Sequence, residues 1–186
     1  MQTGYLELII GPMFSGKTTT LQEIYEKNKN MLTGEPIKKI MVINYAKDIR
    51  YHETMLCTHD QKNIPCIQAT NLKSVWENRE DEADIILINE GQFFPDLFHV
   101  VLDMVEKHKK TVYVCGLDGD YQRQKFGSIL DLVPYCDKIQ KLSSTCECGK
   151  KAIFSHRIVN MKDQYLIGSS DFYAPLCRNC YTDKNT

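Results

Sequence analysis

The sequence predicts an α/β protein: a parallel sheet with helices on both faces, followed by a small cysteine-rich lobe. Three observations carry that prediction. Short apolar runs rich in β-branched residues recur at 6–10, 40–45, 85–89 and 111–117. Between them lie helical stretches, the clearest at 95–109, where Leu97, Val100, Val101, Met104 and Val105 repeat at helical spacing. Strands that are apolar throughout and alternate with helices are those of a parallel sheet buried on both sides. The texture then changes near Leu142, beyond which two close cysteine pairs appear.

The elements can be justified in order. Residues 6–10 read as a buried strand, and the segment after Gly16 as a helix to about Met31, broken by Thr33-Gly34-Glu35-Pro36. A strand at 40–45, a helix at 72–79 and a strand at 85–89 follow. The helix at 95–109 leads into a strand at 111–117, and later strand-like runs lie at 152–159 and 164–167. The boundary is set at about residue 143, giving units 1–143 and 144–186. No internal repeat or low-complexity segment is apparent.

A chain of 186 residues holds one full domain and a small appendage. The 42% hydrophobic and 25% charged content is that of a soluble globular protein. A net charge of −1 gives no overall electrostatic footprint for nucleic acid or an anionic membrane. The first residues, MQTGYLELII, lack a basic region and cleavage site, and the apolar run at 85–88 is far too short to span a bilayer. The expectation is a cytoplasmic protein with neither a membrane nor a nucleic-acid partner.

Gly11-Pro12-Met13-Phe14-Ser15-Gly16-Lys17-Thr18 matches the phosphate-loop pattern at every fixed position, after a strand and before a helix. The glycines permit a backbone that aims successive N–H groups at phosphate oxygens, and the helix N-terminus adds its positive dipole end. Lys17 can reach the β- and γ-phosphates of ATP, and the Thr18 hydroxyl can ligate Mg²⁺.

In such enzymes a second strand ends in an acidic residue beside the metal. Here the strand at 85–89 runs into Asn89-Glu90-Gly91-Gln92-Phe93-Phe94. With the phosphate loop, this segment resembles the thymidine kinase family that carries a zinc-bound lasso. Further matches are Tyr45-Ala-Lys-Asp48-Ile49-Arg50-Tyr51, then Leu117-Asp-Gly-Asp-Tyr121-Gln-Arg-Gln-Lys-Phe126-Gly127, and Tyr173 ahead of Cys177. They span nearly the whole chain in the family's order.

The resemblance implies a RecA-like phosphate-loop domain with a zinc-ribbon-like lasso lobe. It also implies transfer of the γ-phosphoryl group of ATP to the 5′-hydroxyl of thymidine. Glu90 is then the catalytic base, and Asp48, Ile49, Arg50, Asn89, Gly91 and Gln92 belong to the triphosphate side. Met13, Phe93, Leu117, Tyr121 and Phe126 form an apolar slot for thymine, although each alone reads as ordinary core. Gln164, Tyr165, Leu166, Ile167 and Gly168 belong to the loop over the nucleoside, Tyr173 stands near the sugar, and Ser155 takes the place of the family's threonine near the base. A homotetramer inhibited by thymidine triphosphate is implied as well.

Two departures from the family pattern stand out. Asn89 replaces an aspartate, so the charge beside Mg²⁺ is gone while an oxygen able to accept from a metal-bound water stays, and Asp48 is a carboxylate that can compensate. Cys146 and Cys148 are separated by one residue where the family usually has two. With Cys177 and Cys180 they offer four thiolates for a structural zinc, free or disulfide-linked cysteines being the alternative. Cys57, Cys66, Cys115 and Cys136 read as small core residues. The rival functions are a nucleic-acid-dependent phosphate-loop ATPase with a zinc ribbon, and a catalytically silent scaffold suggested by Asn89. The first is disfavoured by the small basic excess beyond residue 143.

Overall fold

The computed structural model describes residues 3–29, 38–46, 55–57, 63–77, 79–161, 164 and 171–185. Strand β1 (Tyr5–Ile10) leads through the phosphate loop into α1 (Lys17–Lys27), and β2 (Ile40–Tyr45) follows. A short hairpin of β3 (Met55–Cys57) and β4 (Asn63–Pro65) precedes β5 (Ile67–Ala69), α2 (Lys73–Trp76) and β6 (Ile85–Ile88). Next come α3 (Leu97–Leu102), β7 (Thr111–Gly116), a 3-10 segment at Ile129–Tyr135 and β8 (Lys138–Lys141). The remaining elements are β9 (Ser144–Thr145), β10 (Lys151–Ala152), β11 (Phe154–Arg157), β12 (Tyr173–Leu176) and α4 (Arg178–Lys184).

Six strands form one sheet in the order β5-β2-β6-β7-β1-β8, and every pairing in it is parallel. Side chains alternate across it. Leu6, Leu8 and Ile10 of β1 face a core shared with Leu97, Val101 and Met104 and with Ile129 and Leu132. Ile9 faces the opposite core, with Leu21 of α1 and with Leu56 and Ile64 of the hairpin. The α/β class is therefore as expected: each face of the sheet carries helix, and a small lobe bears four clustered cysteines. No helix among the described residues is long and apolar enough to cross a membrane.

Several element bounds differ from the sequence expectation, each for a local reason. The helix expected over 95–109 is α-helical only to Leu102, and Asp103–Lys107 widens into a π-turn. There the Val105 carbonyl lies so close to Gly4 that a Cβ on Gly4 would overlap it, so the wide turn packs directly against the start of β1. The helix at 72–79 shortens to the single turn α2, because Glu77 adopts an extended ψ of 127°. Asp96 caps that turn, its carboxylate accepting from the N–H groups of Leu72 and Lys73 at 3.0 and 2.8 Å. The run at 152–159 divides at Ile153 into β10 and β11. The helix end at Met31, the break at 33–36 and most of the run at 164–167 lie outside the described residues.

Candidate active site and metal centre

In a parallel sheet, ligands gather beyond the C-terminal ends of the strands. The phosphate loop follows β1 and the Asn89–Phe94 segment follows β6, with β7 between them, so both open at the C-terminal end of the sheet. Gly11 has φ +152°, and a Cβ there would stand 2.7 Å from the Leu142 carbonyl oxygen, whereas Gly16 needs its glycine for φ +82° alone. Lys17 is buried, and its ammonium donates to the Pro12 carbonyl at 2.7 Å, curling across the loop it serves. Pro12 to Ser15 shape the loop, Phe14 at φ +61°, and Thr18 lies in the first turn of α1.

Glu90 sits just beyond β6 with φ +56° and ψ +42°, a left-handed backbone that a glutamate adopts at a cost of about 1–3 kcal/mol. Gly91–Phe93 then form a 3-10 turn that carries Gln92 under the glutamate. Gln92 is buried; its amide N–H donates to Glu90 Oε2 at 2.6 Å and its oxygen accepts from Leu117 N–H at 3.0 Å. One side chain thereby fixes the carboxylate of Glu90 and ties it to the end of β7. The sequence assigns Gln92 to the triphosphate side; the structure gives it this holding contact.

Asn89 is inside the protein. Its Nδ2 donates to Asn44 Oδ1 at 2.8 Å, and its Oδ1 accepts from the Cys115 thiol at 2.9 Å. Asn44 in turn donates to Gln68 Oε1 at 3.2 Å, so polar side chains cross the ends of β7, β6, β2 and β5. Burial, with the nearby Glu90 charge adding to it, raises the Cys115 thiol to about 12, which keeps it an S–H donor. A carboxylate at this position would lose the donor to Asn44 and set two oxygens face to face, costing about 1–3 kcal/mol. Asn89→Asp is therefore expected to lower the melting temperature by about 2–12 °C without nucleotide. The loss should be largely recovered with Mg²⁺ and ATP, and less Mg²⁺ should be needed for activity. Melting curves and Mg²⁺ titrations that coincide for both proteins would contradict this.

Of the residues expected to form the thymine slot, Phe93 and Phe126 are in contact. Phe93 stacks on Tyr45 with ring centroids 5.0 Å apart and 19° between planes, and meets Phe126 edge-on at 5.2 Å. Ser155 joins the small lobe to the phosphate loop, its hydroxyl accepting from Met13 N–H at 3.0 Å. Gln164 donates to Asp120 Oδ2 at 3.2 Å, and the Tyr181 hydroxyl donates to the Tyr121 carbonyl at 2.6 Å. Arg157, absent from the sequence-derived site, is buried against Tyr121 and Tyr173. Asp48, Ile49, Arg50, Tyr165, Leu166, Ile167 and Gly168 lie outside the described residues.

The four cysteine sulfurs, of Cys146, Cys148, Cys177 and Cys180, all lie within 4.8 Å of one another. Sulfurs around a tetrahedral zinc at about 2.3 Å stand about 3.8 Å apart, and Cys148 to Cys177 measures 3.6 Å. The shortened first pair fits because the chain doubles back at once: Gly149 N–H donates to the Cys146 carbonyl at 2.8 Å, with Gly149 at φ +79°. The N–H groups of Cys148 and Cys177 lower the Cys146 thiol, while the neighbouring sulfurs raise that of Cys180. Four protein sulfurs leave no open position, so a zinc here is structural.

Comparison with known proteins matches residues 4–181 to the family model described as thymidine kinase. The chain belongs to the thymidine kinase family. A thymidine kinase of rice is 39% identical over 97% of this chain and 67% of its own length. That of vaccinia virus is 40% identical over 98% and 99%, and the human cytosolic thymidine kinase is 39% identical over 97% and 74%. This member of the thymidine kinase family is thus an ATP-dependent phosphotransferase acting on thymidine.

Proposed function

We propose that Glu90 accepts the proton of the thymidine 5′-hydroxyl while the phosphate loop holds the ATP γ-phosphoryl group for in-line transfer. The observation that carries this reading is the Glu90 carboxylate, held by Gln92 on a left-handed backbone at the C-terminal end of the sheet shared with Lys17. A glutamate fixed there orients the hydroxyl and takes its proton as the bond to phosphorus forms. The N–H groups of the phosphate loop and the Lys17 ammonium face the developing charge on the transferred group. Magnesium brought with ATP would be held by Thr18 and would neutralise phosphate charge.

Thymine would lie in the slot of Met13, Phe93, Leu117, Tyr121 and Phe126, with Tyr173 toward the sugar. Residues 144–186 would act as the nucleoside-covering unit and 1–143 as the phosphate-binding unit. Feedback by thymidine triphosphate and a homotetramer are part of the same reading, as is a cytoplasmic location, the human relative being named cytosolic. ADP release should require thymidine and be indifferent to DNA or RNA. Release driven by nucleic acid without thymidine would overturn the proposal.

Zinc should be present at one atom per chain, and its chelation should abolish thymidine binding while leaving ATP binding largely intact. The four cysteines secure the lobe that touches Met13 and Tyr121, whereas the phosphate loop is built by β1 and α1. Metal analysis combined with calorimetric titration of each ligand checks this. Zinc-free protein with normal thymidine affinity would refute it.

A further inference from the structure

Arg157 is the last residue of β11 and lies directly across from Tyr173, the first residue of β12. Its guanidinium donates to the Tyr173 hydroxyl at 2.8 Å, to the Met161 carbonyl at 3.0 Å and to the Gln164 carbonyl at 3.2 Å. It also lies over the Tyr121 ring at 3.8 Å, and the whole residue is only 5% exposed. Burying a permanently charged side chain is costly unless its donors are matched, and guanidinium supplies both multiple donation and stacking here. Within β11 the buried positions alternate, and Ser155, two residues earlier on the same face, contacts Met13 of the phosphate loop.

We infer that Arg157 is a positioning residue for the nucleoside. It holds the Tyr121 ring from the turn after β7 and the Tyr173 hydroxyl from the small lobe in one fixed arrangement. This rests on the proposed reading that these two tyrosines face thymidine. Tyr121 is further fixed at its backbone by the Tyr181 hydroxyl, next to the metal ligand Cys180, so its ring is the part left for Arg157 to set. Tyr121 lies in the turn after β7 and Tyr173 in β12, and the Arg157 side chain touches both.

The test is Arg157→Lys, which keeps the charge but loses the planar fork. The thymidine KM is expected to rise about tenfold or more, with the ATP KM unchanged and a smaller fall in kcat. Tyr173→Phe should also raise the thymidine KM, and adding it to Arg157→Lys should have little further effect, because both remove the same bond. Zinc content and melting temperature confirm that each variant is folded. If Arg157→Lys unfolds, Tyr173→Phe and Tyr121→Leu in the native background carry the test through the bonds Arg157 makes. A thymidine KM within twofold of native in folded Arg157→Lys, while the tyrosine variants raise it, would overturn the role of Arg157 alone. Tyrosine variants that leave the thymidine KM unchanged would instead overturn the underlying assignment of the nucleoside site.

Discussion

Glu90→Gln should reduce kcat by about a hundred- to ten-thousandfold, the span a positioned general base contributes. The substitution keeps the shape of the side chain and removes the carboxylate. Gln92, whose amide donates to Glu90 Oε2, can still donate to the oxygen of the new amide, so the local arrangement is expected to survive. The left-handed backbone at Glu90 is set by the turn through Gly91–Phe93 and is not altered. Thymidine and ATP affinities should therefore stay near native while turnover collapses. Steady-state kinetics beside equilibrium binding checks this; a parallel loss of binding and turnover would assign Glu90 to binding.

Lys17→Ala is expected to lower kcat by about a hundred- to a thousandfold and to weaken ATP, the range seen when one fixed donor to developing charge is removed. Two losses combine: the positive charge near the β- and γ-phosphates, and the ammonium bond to the Pro12 carbonyl that braces the loop. Thymidine affinity should change less than ATP affinity, because Phe93 and Phe126 of the proposed slot pack on each other away from that bond and only Met13 of the slot belongs to the braced loop. Kinetics at varied ATP and fixed saturating thymidine separates the two substrates. Normal ATP-dependent turnover would remove the phosphate loop from the mechanism.

The phosphate loop was legible from sequence because its chemistry is contiguous: a glycine-bearing turn between one strand and one helix needs no distant partner. The four buried strands were legible for the same reason. Glu90 was reached only by resemblance, since nothing in Asn89-Glu90-Gly91-Gln92 itself reveals a left-handed glutamate held by the glutamine two residues on. The edge strands β5 and β8 were missed: β5 is three residues long, and β8, Lys-Ile-Gln-Lys, is largely exposed, so neither gives an apolar run. The π-turn at Asp103–Lys107 packs against Gly4, a tertiary contact invisible to periodicity.

Arg157 carries a signal in the strand pattern. In Phe154-Ser155-His156-Arg157 the strand alternation puts Ser155 and Arg157 on one face, and assigning Ser155 to the site should have brought Arg157 with it. A count of basic residues treats it as surface charge. Asn89 is the converse: its departure from the family pattern was plain, but its bonds to Asn44 and Cys115 come from three different strand ends. Only the assembled sheet supplies those neighbours.

The most direct test of the account is a rapid-quench measurement of a single turnover, with enzyme in excess over labelled ATP and saturating thymidine. The native protein and Glu90→Gln are compared after both are shown to bind each substrate. The account predicts that transfer of label to the thymidine 5′-oxygen itself slows by at least about a hundredfold in Glu90→Gln, with the complex fully formed. An unchanged single-turnover rate in that variant would contradict it and exclude Glu90 as the proton acceptor.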